Sequence, residues 1–169
     1  MSHPNKKIEH VTLINAPVDK VWKALIDIND WSWNKWTRLE AEEAPVEGVK
    51  GKLKACYEGN DDDDDEWETF DFTFGKVDPD TFTLSWFGSI GPCGCIFEGY
   101  HTMRLEVVVE DDKHHEGGGE GSAPSTRLIH TERFSGMLPA LGIGLPYKIL
   151  DRNYLLMNES LKDFVEGKK

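Results

Sequence analysis

Hydrophobic and polar positions alternate along the chain with two different periods, and the longest run with the helical period lies at the end of the sequence. Between Leu145 and Val165, apolar residues recur at steps of three and four, which places them on one stripe of a helix. Pro146 suits the first turn and Gly167 suits the end. The pattern therefore predicts a helix of about twenty residues, or ~30 Å, long enough to cross a small domain.

The stripe of this helix also carries two phenols and an amide, from Tyr147, Tyr154 and Asn158. A plain hydrophobic core seldom holds such groups, because each buried polar group needs a hydrogen-bond partner. The pattern favours a helix laid over a curved sheet, with a partly polar cavity between the two.

Most of the remaining chain alternates with the period of two that is typical of strands. The predicted strands cover Lys7–Ile14, Leu53–Tyr57, Phe70–Phe74, Phe82–Trp86, Phe97–Glu110 and Thr126–Phe134. After the first strand, Asn15 is expected to cap a short helix that ends near Asp27 to Asp30. The order of one strand, one helix, a run of strands and a last helix predicts an α+β domain with its helices on one face of an antiparallel sheet.

A tryptophan-rich segment follows the short helix, with Trp31, Trp33 and Trp36 within six residues. Such a density is expected at a domain corner or at the rim of a pocket. Anchors that plug one end of the sheet are at least as good an interpretation.

Several loops carry residues that resemble functional motifs in composition only. The acidic run Asn60–Glu66 lacks the spaced ligands and turn glycine of a calcium loop, so a solvated hairpin tip is favoured. His114 and His115 have no third ligand nearby in the glycine-rich loop, which makes them a weak metal site. Cys93 and Cys95 lack the spacing of common redox motifs, and a structural or incidental role is favoured. No metal site and no cofactor is expected.

The apolar segment Met137–Leu145, which joins the last strand to the long helix, has two interpretations of equal weight. Its glycines and its position suit a hinge or lid. A tightly packed linker would have the same composition.

Composition and charge limit the classes of partner. With 169 residues, of which 38% are apolar, the chain is expected to form one domain, residues 1–169. A net charge of -12 repels phosphate backbones and anionic membranes, so nucleic acid is not an expected partner. No run approaches the ~20 apolar residues of a membrane span, and three cysteines do not make a disulfide framework. These features indicate a soluble, cytoplasmic protein.

Two parts of the chain resemble a known family. The segment Ala16–Trp22, followed by Trp33–Trp36, is similar to the opening of SRPBCC domains, also called START-like or helix-grip domains. The segment Arg127–Gly136, followed by an apolar link and the long helix, resembles their ending. The likeness covers nearly the whole chain and is greatest to the polyketide cyclase/dehydrase-type branch.

The resemblance implies a seven-stranded antiparallel sheet wrapped around the C-terminal helix, two short helices after the first strand, and a deep cavity for an apolar ligand. Members bind lipids, sterols, plant hormones or polyketides, and some catalyse cyclisation or dehydration. The residues expected to line this cavity are Trp33, Trp36, Phe72, Phe74, Phe82, Leu84, Trp86, Met103, Phe134, Leu138, Tyr147, Tyr154 and Asn158.

Three further residues with acid/base side chains, His101, His130 and Glu132, fall on the same predicted face as the apolar set. A histidine beside a carboxylate can do general acid/base work. Because His130 and Glu132 lie about 7 Å apart along one strand, a cross-strand partner such as His101 is the more plausible contact. The three are candidate catalytic residues, although buried polar groups can also satisfy one another and fix strand register.

Three functions are compatible with these observations. The leading hypothesis is binding of a hydrophobic or aromatic small molecule, lipid-like or polyketide-like, between the sheet and the C-terminal helix. The alternative is a cyclase or dehydratase that uses histidine, glutamate or tyrosine in the cavity as acid or base. A further alternative is an interaction module like those of co-chaperones, which would use the surface of the fold. The pattern leaves the oligomeric state open.

Overall fold

The computed structural model of the chain describes residues 7–57, 67–108, 124–142 and 146–168. Seven strands are present: β1 (Lys7–Ile14), β2 (Thr37–Glu40), β3 (Lys50–Ala55), β4 (Glu68–Asp78), β5 (Thr83–Ile90), β6 (Phe97–Val108) and β7 (Ser125–Ser135). The helices are α1 (Val18–Ile26), α2 (Met137–Leu141) and α3 (Tyr147–Glu166), with 3-10 helices at Ile28–Trp33 and Pro92–Gly94. The predicted hairpin tip at 60–66 and the pair at 114–115 lie outside the described residues.

The strands form one antiparallel sheet in the order β1-β7-β6-β5-β4-β3-β2. From β2 to β7, each strand pairs with the next one along the chain, while β1 joins the sheet beside β7. α1 and the 3-10 helix after it therefore carry the chain from one edge of the sheet to the other. The predicted fold, a seven-stranded antiparallel sheet with a long C-terminal helix and two short helical segments after the first strand, is confirmed.

One face of the sheet, here called the inner face, packs against the helices and carries the core. Its buried side chains include Leu39, Phe72, Phe74, Leu84, Trp86, Met103, Leu105 and Leu128. They form one cluster with Val21 and Leu25 of α1 and with Met157, Leu161 and Val165 of α3. The backbone of α3 lies closest to β1, while its side chains share the core cluster with Phe74, Leu84 and Trp86 of β4 and β5. None of the described helices is both long and apolar enough to cross a membrane.

The ends of the two main helices are joined to each other. Gly167 ends α3 in the left-handed conformation, with φ 72°, as the sequence indicated. The prediction that Asn15 caps α1 is wrong, because Pro17 occupies the cap position and no side chain bonds to the first turn. The backbone N–H of Asn15 instead donates to the Glu166 carboxylate at 2.8 Å, so it ties the start of α1 to the last turn of α3.

Two strand predictions differ from the structure. Phe82 was placed on a strand, but β5 begins one residue later. Phe82 has a left-handed φ of 47°, and its ring packs edge-on against Trp22 of α1 with the centroids 5.9 Å apart.

The short strand β2 was not predicted from the alternation, because four residues are too few to establish a period. It was implied only by the family resemblance, which requires seven strands.

The segment after β7 begins as a packed connection. The backbone N–H groups of Met137 and Leu138 donate to the carbonyls of Cys95 and Ile96, both at 3.0 Å, which fixes α2 against the start of β6. The side chains of Met137 and Leu141 are more than half exposed. Residues 143–145 lie outside the described part of the chain, so the choice between a hinge and a packed linker for the whole segment stays a prediction.

Candidate ligand-binding site

A cluster of polar side chains lies on the inner face where β6 and β7 meet α3. His101 comes from β6, His130 and Glu132 from β7, and Tyr154 and Asn158 from α3, and all five are at most 8% exposed. The cluster exists because the alternation of both strands turns these positions toward the helix. The structure therefore brings together the buried polar groups that the sequence predicted, on an inner face that is otherwise apolar.

The strand register decides which of these residues meet. His101 is paired directly with Glu132, while His130 is paired with Met103. The Nδ1 atom of His101 lies 3.7 Å from Oε2 of Glu132. The prediction that His101, and not His130, is the partner of Glu132 is confirmed.

Hydrogen bonds connect the cluster into one chain and set the tautomer of each histidine. Because Oδ1 of Asn158 can only accept, His130 donates to it from Nδ1 at 2.6 Å. Asn158 is oriented by its own donation to Oγ1 of Thr12 at 3.2 Å. Nε2 of neutral His130 then accepts from Nε2 of His101, which leaves the Nδ1 lone pair of His101 facing Glu132.

Burial keeps the titratable members of the cluster uncharged at neutral pH. It lowers the pKa of His101 to about 3 and holds the pKa of His130 well below its ordinary value, with the neighbouring His101 adding to the effect on His130. Burial also raises the pKa of Glu132 to about 8. Two neutral imidazoles therefore lie beside a protonated carboxyl group.

Tyrosine side chains lie near Glu132, whose carboxyl group is the partly exposed end of the polar cluster. Tyr154 donates to Oε2 of Glu132, whose side chain is 11% exposed. Burial raises the pKa of Tyr57 to about 12, and the charges of Glu68 and Glu132 add to the effect. Burial also raises the pKa of Tyr147 to about 12, with a further contribution from Glu132.

The three candidate acid/base residues do not make a metal site. His101 presents Nε2 to His130 and Nδ1 to Glu132, so the possible donor atoms diverge instead of meeting at one point. Within the described ranges, no group of three histidine, cysteine or acidic side chains is placed to hold an ion.

Beside the cluster, the inner face has a strip without side chains, here called the glycine groove. Gly88 of β5 and Gly99 of β6 are directly paired. Among described residues, only the carbonyl oxygen of Asp71 comes within 4 Å of the point where a Cβ of Gly88 would lie, at 3.2 Å. At Gly99, the nearest atom to the corresponding point is Oε1 of Glu132, at 2.8 Å. The groove is therefore bounded by the Asp71 carbonyl oxygen at Gly88, and by the Glu132 carboxyl group and the Phe97 ring, 3.4 Å from the Cβ position, at Gly99.

Aromatic side chains frame this groove. The paired residues Trp86 and His101 border it on one side along the strands, and their rings stack with centroids 4.1 Å apart. Phe97 lies on the opposite side, and Phe134 is paired with Gly99. Phe70 of β4 is 46% exposed, on the same face as the buried Phe72. A groove that lacks side chains of its own and is bordered by aromatic rings suits a flat molecule.

The predicted open chamber directly beneath α3 is not what the structure shows among its described residues. Met157, Leu161 and Val165 are at most 1% exposed and pack into the same cluster as Trp86 and Met103. Among the described helices and strands, α3 packs most closely against β1.

The predicted lining residues fall into three groups. Phe72, Phe74, Leu84, Trp86 and Met103 are buried on the inner face, and Phe134, Tyr147 and Tyr154 gather near Glu132. Trp33 is buried in the core and stacks on Phe164 of α3 with centroids 6.5 Å apart, while Trp36 is half-buried. Phe82 and Leu138 lie apart from the cluster, beside α1 and in α2. Trp31 donates from Nε1 to the Leu25 carbonyl at 3.0 Å, so Trp31 and Trp33 act as core anchors.

Two further concavities lie at the β2 edge of the sheet. One of about 350 Å³ is bordered by residues 28–32 and 38–41, including Trp31 and Arg38. The other, of about 760 Å³, is bordered by acidic and basic side chains of residues 40–52 and by Asp71. Neither touches His101, His130, Glu132 or Tyr154.

Sequence reasoning missed the residues that make the groove. Gly99 lies inside a predicted strand, and a glycine there often marks the close approach of a ligand or another backbone, so a signal was present at that position. Gly88 lies two residues beyond the predicted strand Phe82–Trp86. The pairing of the two glycines depends on register, which the sequence does not supply.

Comparison with known proteins bears on the fold. No protein-family model matches the chain, and no curated protein matches it in sequence. Among solved structures, it is similar to the Zhui aromatase/cyclase from Streptomyces sp. R1128, with 18% identity and a TM-score of 0.64 over 95% of this chain and 93% of that one. It is also similar to norcoclaurine synthase from Thalictrum flavum, with 14% identity and a TM-score of 0.62 over 97% and 95% of the two chains. A third similar structure is Ara h 8.0201, with 14% identity and a TM-score of 0.57 over 96% and 99%.

At sequence identities of 14 to 18%, the similarity to these structures shows a shared fold. The chain has the helix-grip fold of the START-like, or SRPBCC, proteins. This is the fold that the sequence indicated.

Proposed function

We propose that the protein binds a flat, uncharged aromatic molecule in the glycine groove, with the polar end of the ligand at Glu132. The observation that carries the proposal is the pairing of Gly88 with Gly99 on the inner face, inside a frame of aromatic rings. A ring bound there would pack against the side chains that frame the groove and remove apolar surface from water, at about 25 cal/mol per Å². The names of the similar proteins, an aromatase/cyclase and norcoclaurine synthase, support aromatic chemistry as the ligand class.

The experiment tests whether a side chain added in the glycine groove prevents binding of an aromatic molecule. The neutral fluorophore N-phenyl-naphthylamine, whose emission rises in apolar surroundings, is titrated against the wild-type chain and against Gly88→Leu. We expect saturable enhancement with the wild type and at least about tenfold weaker binding to the variant, because the added side chain occupies the slot. Ser89→Leu is the matched control, since it adds the same side chain to the outer face of the same strand.

Two results would contradict the proposal. One is the absence of saturable enhancement with the wild type. The other is equal binding by Gly88→Leu and Ser89→Leu, provided that thermal unfolding shows both variants to be folded.

A second candidate function is acid/base catalysis on the bound molecule, of the kind needed for cyclisation or dehydration. It is favoured by the contact between His101 and Glu132, whose pKa values burial moves in opposite directions from their ordinary values. Glu132 would protonate a ligand oxygen while a solvent water molecule takes the neighbouring C–H proton, and His101 and His130 would set the position of Glu132.

Deuterium exchange tests this candidate without knowledge of the natural substrate. In D2O, a C–H bond of the methyl group of methyl naphthyl ketone breaks and a C–D bond forms through the enol. A catalyst should raise the NMR-detected exchange rate above that in buffer, and Glu132→Gln should abolish the increase while Glu106→Gln, on the outer face of β6, should not. Exchange no faster than in buffer would exclude catalysis of this kind.

A further inference from the structure

Asn153 of α3 has a buried side-chain oxygen that no described residue partners. The residue is 2% exposed, and no N–H or O–H group in the described part of the chain donates to its Oδ1 atom. Buried polar atoms nearly always have a hydrogen-bond partner, because removing them from water without one costs free energy. An acceptor in this state marks a place where another molecule can supply the donor.

The contacts of α3 show which way Asn153 points. Asp151 lies 3.0 Å from His10 of β1, whereas Tyr154 bonds to a residue of β7. Since an α-helix has about 3.6 residues per turn, Asn153 lies nearly opposite Asp151 around the helix, on the flank that faces β6 and β5. Met157, one turn further along this flank, packs in the core cluster with side chains of β5.

The direction of α3 places Asn153 beside the glycine groove. The helix runs antiparallel to β7, because Tyr154 bonds to Glu132 and the later Asn158 bonds to the strand two residues further back. The next inner-face residue of β7 after Glu132 is paired with Gly99. The N-terminal half of α3 therefore approaches the groove, and Asn153 lies at the level of the Glu132 carboxyl group.

We propose that Oδ1 of Asn153 accepts a hydrogen bond from a hydroxyl or N–H group at the edge of the ligand, so that the glycine groove selects aromatic molecules which carry such a donor. The inference rests on the proposed binding function and adds to it the polar group that the ligand carries. The ligand's polar end then lies between Asn153 and Glu132. In a site that excludes water, a ligand donor pairs an oxygen that is otherwise buried without a partner.

Unfolding of two leucine variants tests whether the oxygen lacks a partner in the unliganded protein. Asn153 and Asn158 are both buried in α3. Asn158, however, bonds to His130 and Thr12. Asn153→Leu replaces an unpaired polar group by an apolar one of similar size and should raise the urea midpoint, whereas Asn158→Leu strands its former partners and should lower it. The better helix propensity of leucine favours both variants alike, so the difference reports the hydrogen bonds.

Two probes of the same shape test the ligand preference. They are 2-naphthol and 2-methylnaphthalene, which has a methyl group in place of the hydroxyl. Equilibrium dialysis at neutral pH gives the Kd of each probe for the wild type and for Asn153→Leu. Loss of the acceptor should weaken binding of naphthol about tenfold, as expected for one buried hydrogen bond. 2-Methylnaphthalene is the control for an intact groove and should bind the two chains equally well.

Each outcome bears on a different statement. If neither probe binds the wild type, the proposed function and this inference are both wrong. If both bind but Asn153→Leu weakens them equally or not at all, the groove binds aromatic molecules and Asn153 is not the acceptor. A urea midpoint that falls as far in Asn153→Leu as in Asn158→Leu would also overturn the inference, because the oxygen would then have a partner already. A raised midpoint together with a selective loss of naphthol binding would establish it.

Discussion

At the scale of single residues, His101, His130 and Glu132 link folding to pH. The pKa of His101 falls from 6.5 in the unfolded chain to about 3 in the native chain, and that of His130 also falls. Between pH 3 and 6.5 the unfolded chain therefore binds more protons at both sites, and stability rises with pH. The pKa of Glu132 rises from 4.5 to about 8. Between pH 4.5 and 8, the native chain therefore holds one proton more than the unfolded chain at this site, and stability falls as the pH rises.

The sum of the three contributions, from His101, His130 and Glu132, predicts that the stability of the protein is greatest near pH 6.5. Below it, two histidines outweigh one carboxyl group, and above it only Glu132 contributes, by up to ~1.4 kcal/mol per pH unit until about pH 8. Urea unfolding at a series of pH values measures both slopes. Glu132→Gln should flatten the alkaline slope and steepen the acid slope between about pH 4.5 and 6.5, where Glu132 opposes the histidines. A wild-type curve that keeps rising to pH 8 would contradict the assignment.

At the scale of elements, the clearest prediction concerns the end of α3. Gly167 has a left-handed φ of 72°, and no atom of the described residues lies within 4 Å of a Cβ added there. Gly167→Ala should therefore destabilise the protein through backbone strain alone, by about 1 kcal/mol.

Gly167→Asn is the comparison for this effect, since asparagine tolerates the left-handed region better than alanine and should recover part of the loss. Chemical unfolding of the three chains gives the order glycine, asparagine, alanine. An alanine variant as stable as the wild type would show that the last turn frays and does not need the cap.

The same scale shows how much of the structure could be predicted. Alternation located six strands and turned His101 and Glu132 to the correct face, because a buried face imposes a period of two. It failed at Phe82, where packing against Trp22 outweighs the cost of a left-handed φ. It also could not pair Gly88 with Gly99, since register depends on contacts between distant parts of the chain.

At the scale of the whole molecule, charge should influence ligand choice. The net charge of -12 and a site whose groups are neutral both disfavour an anion. Anilinonaphthalene sulfonate has the aromatic frame of N-phenyl-naphthylamine with an added sulfonate, and we expect it to bind more weakly. Added salt should narrow the difference, because screening shortens the reach of surface charges to about 10 Å at 0.1 M.

Parallel fluorescence titrations of the two dyes at low and high salt measure this effect. The neutral dye is the internal control, since its affinity should change little with ionic strength. Equal affinities for the two dyes at low salt would show that the field of the protein does not reach the groove.

The pairing of β1 with β7 has a consequence for synthesis of the chain. β1 leaves the ribosome long before β7, its neighbour among the described strands, and the helix that packs on it comes later still. Until then, Val11 and Leu13 stand on an open strand edge that can associate with other nascent chains. Shortened products that stop before Ser125 should accordingly be captured by chaperones or degraded, whatever the stability of the finished molecule.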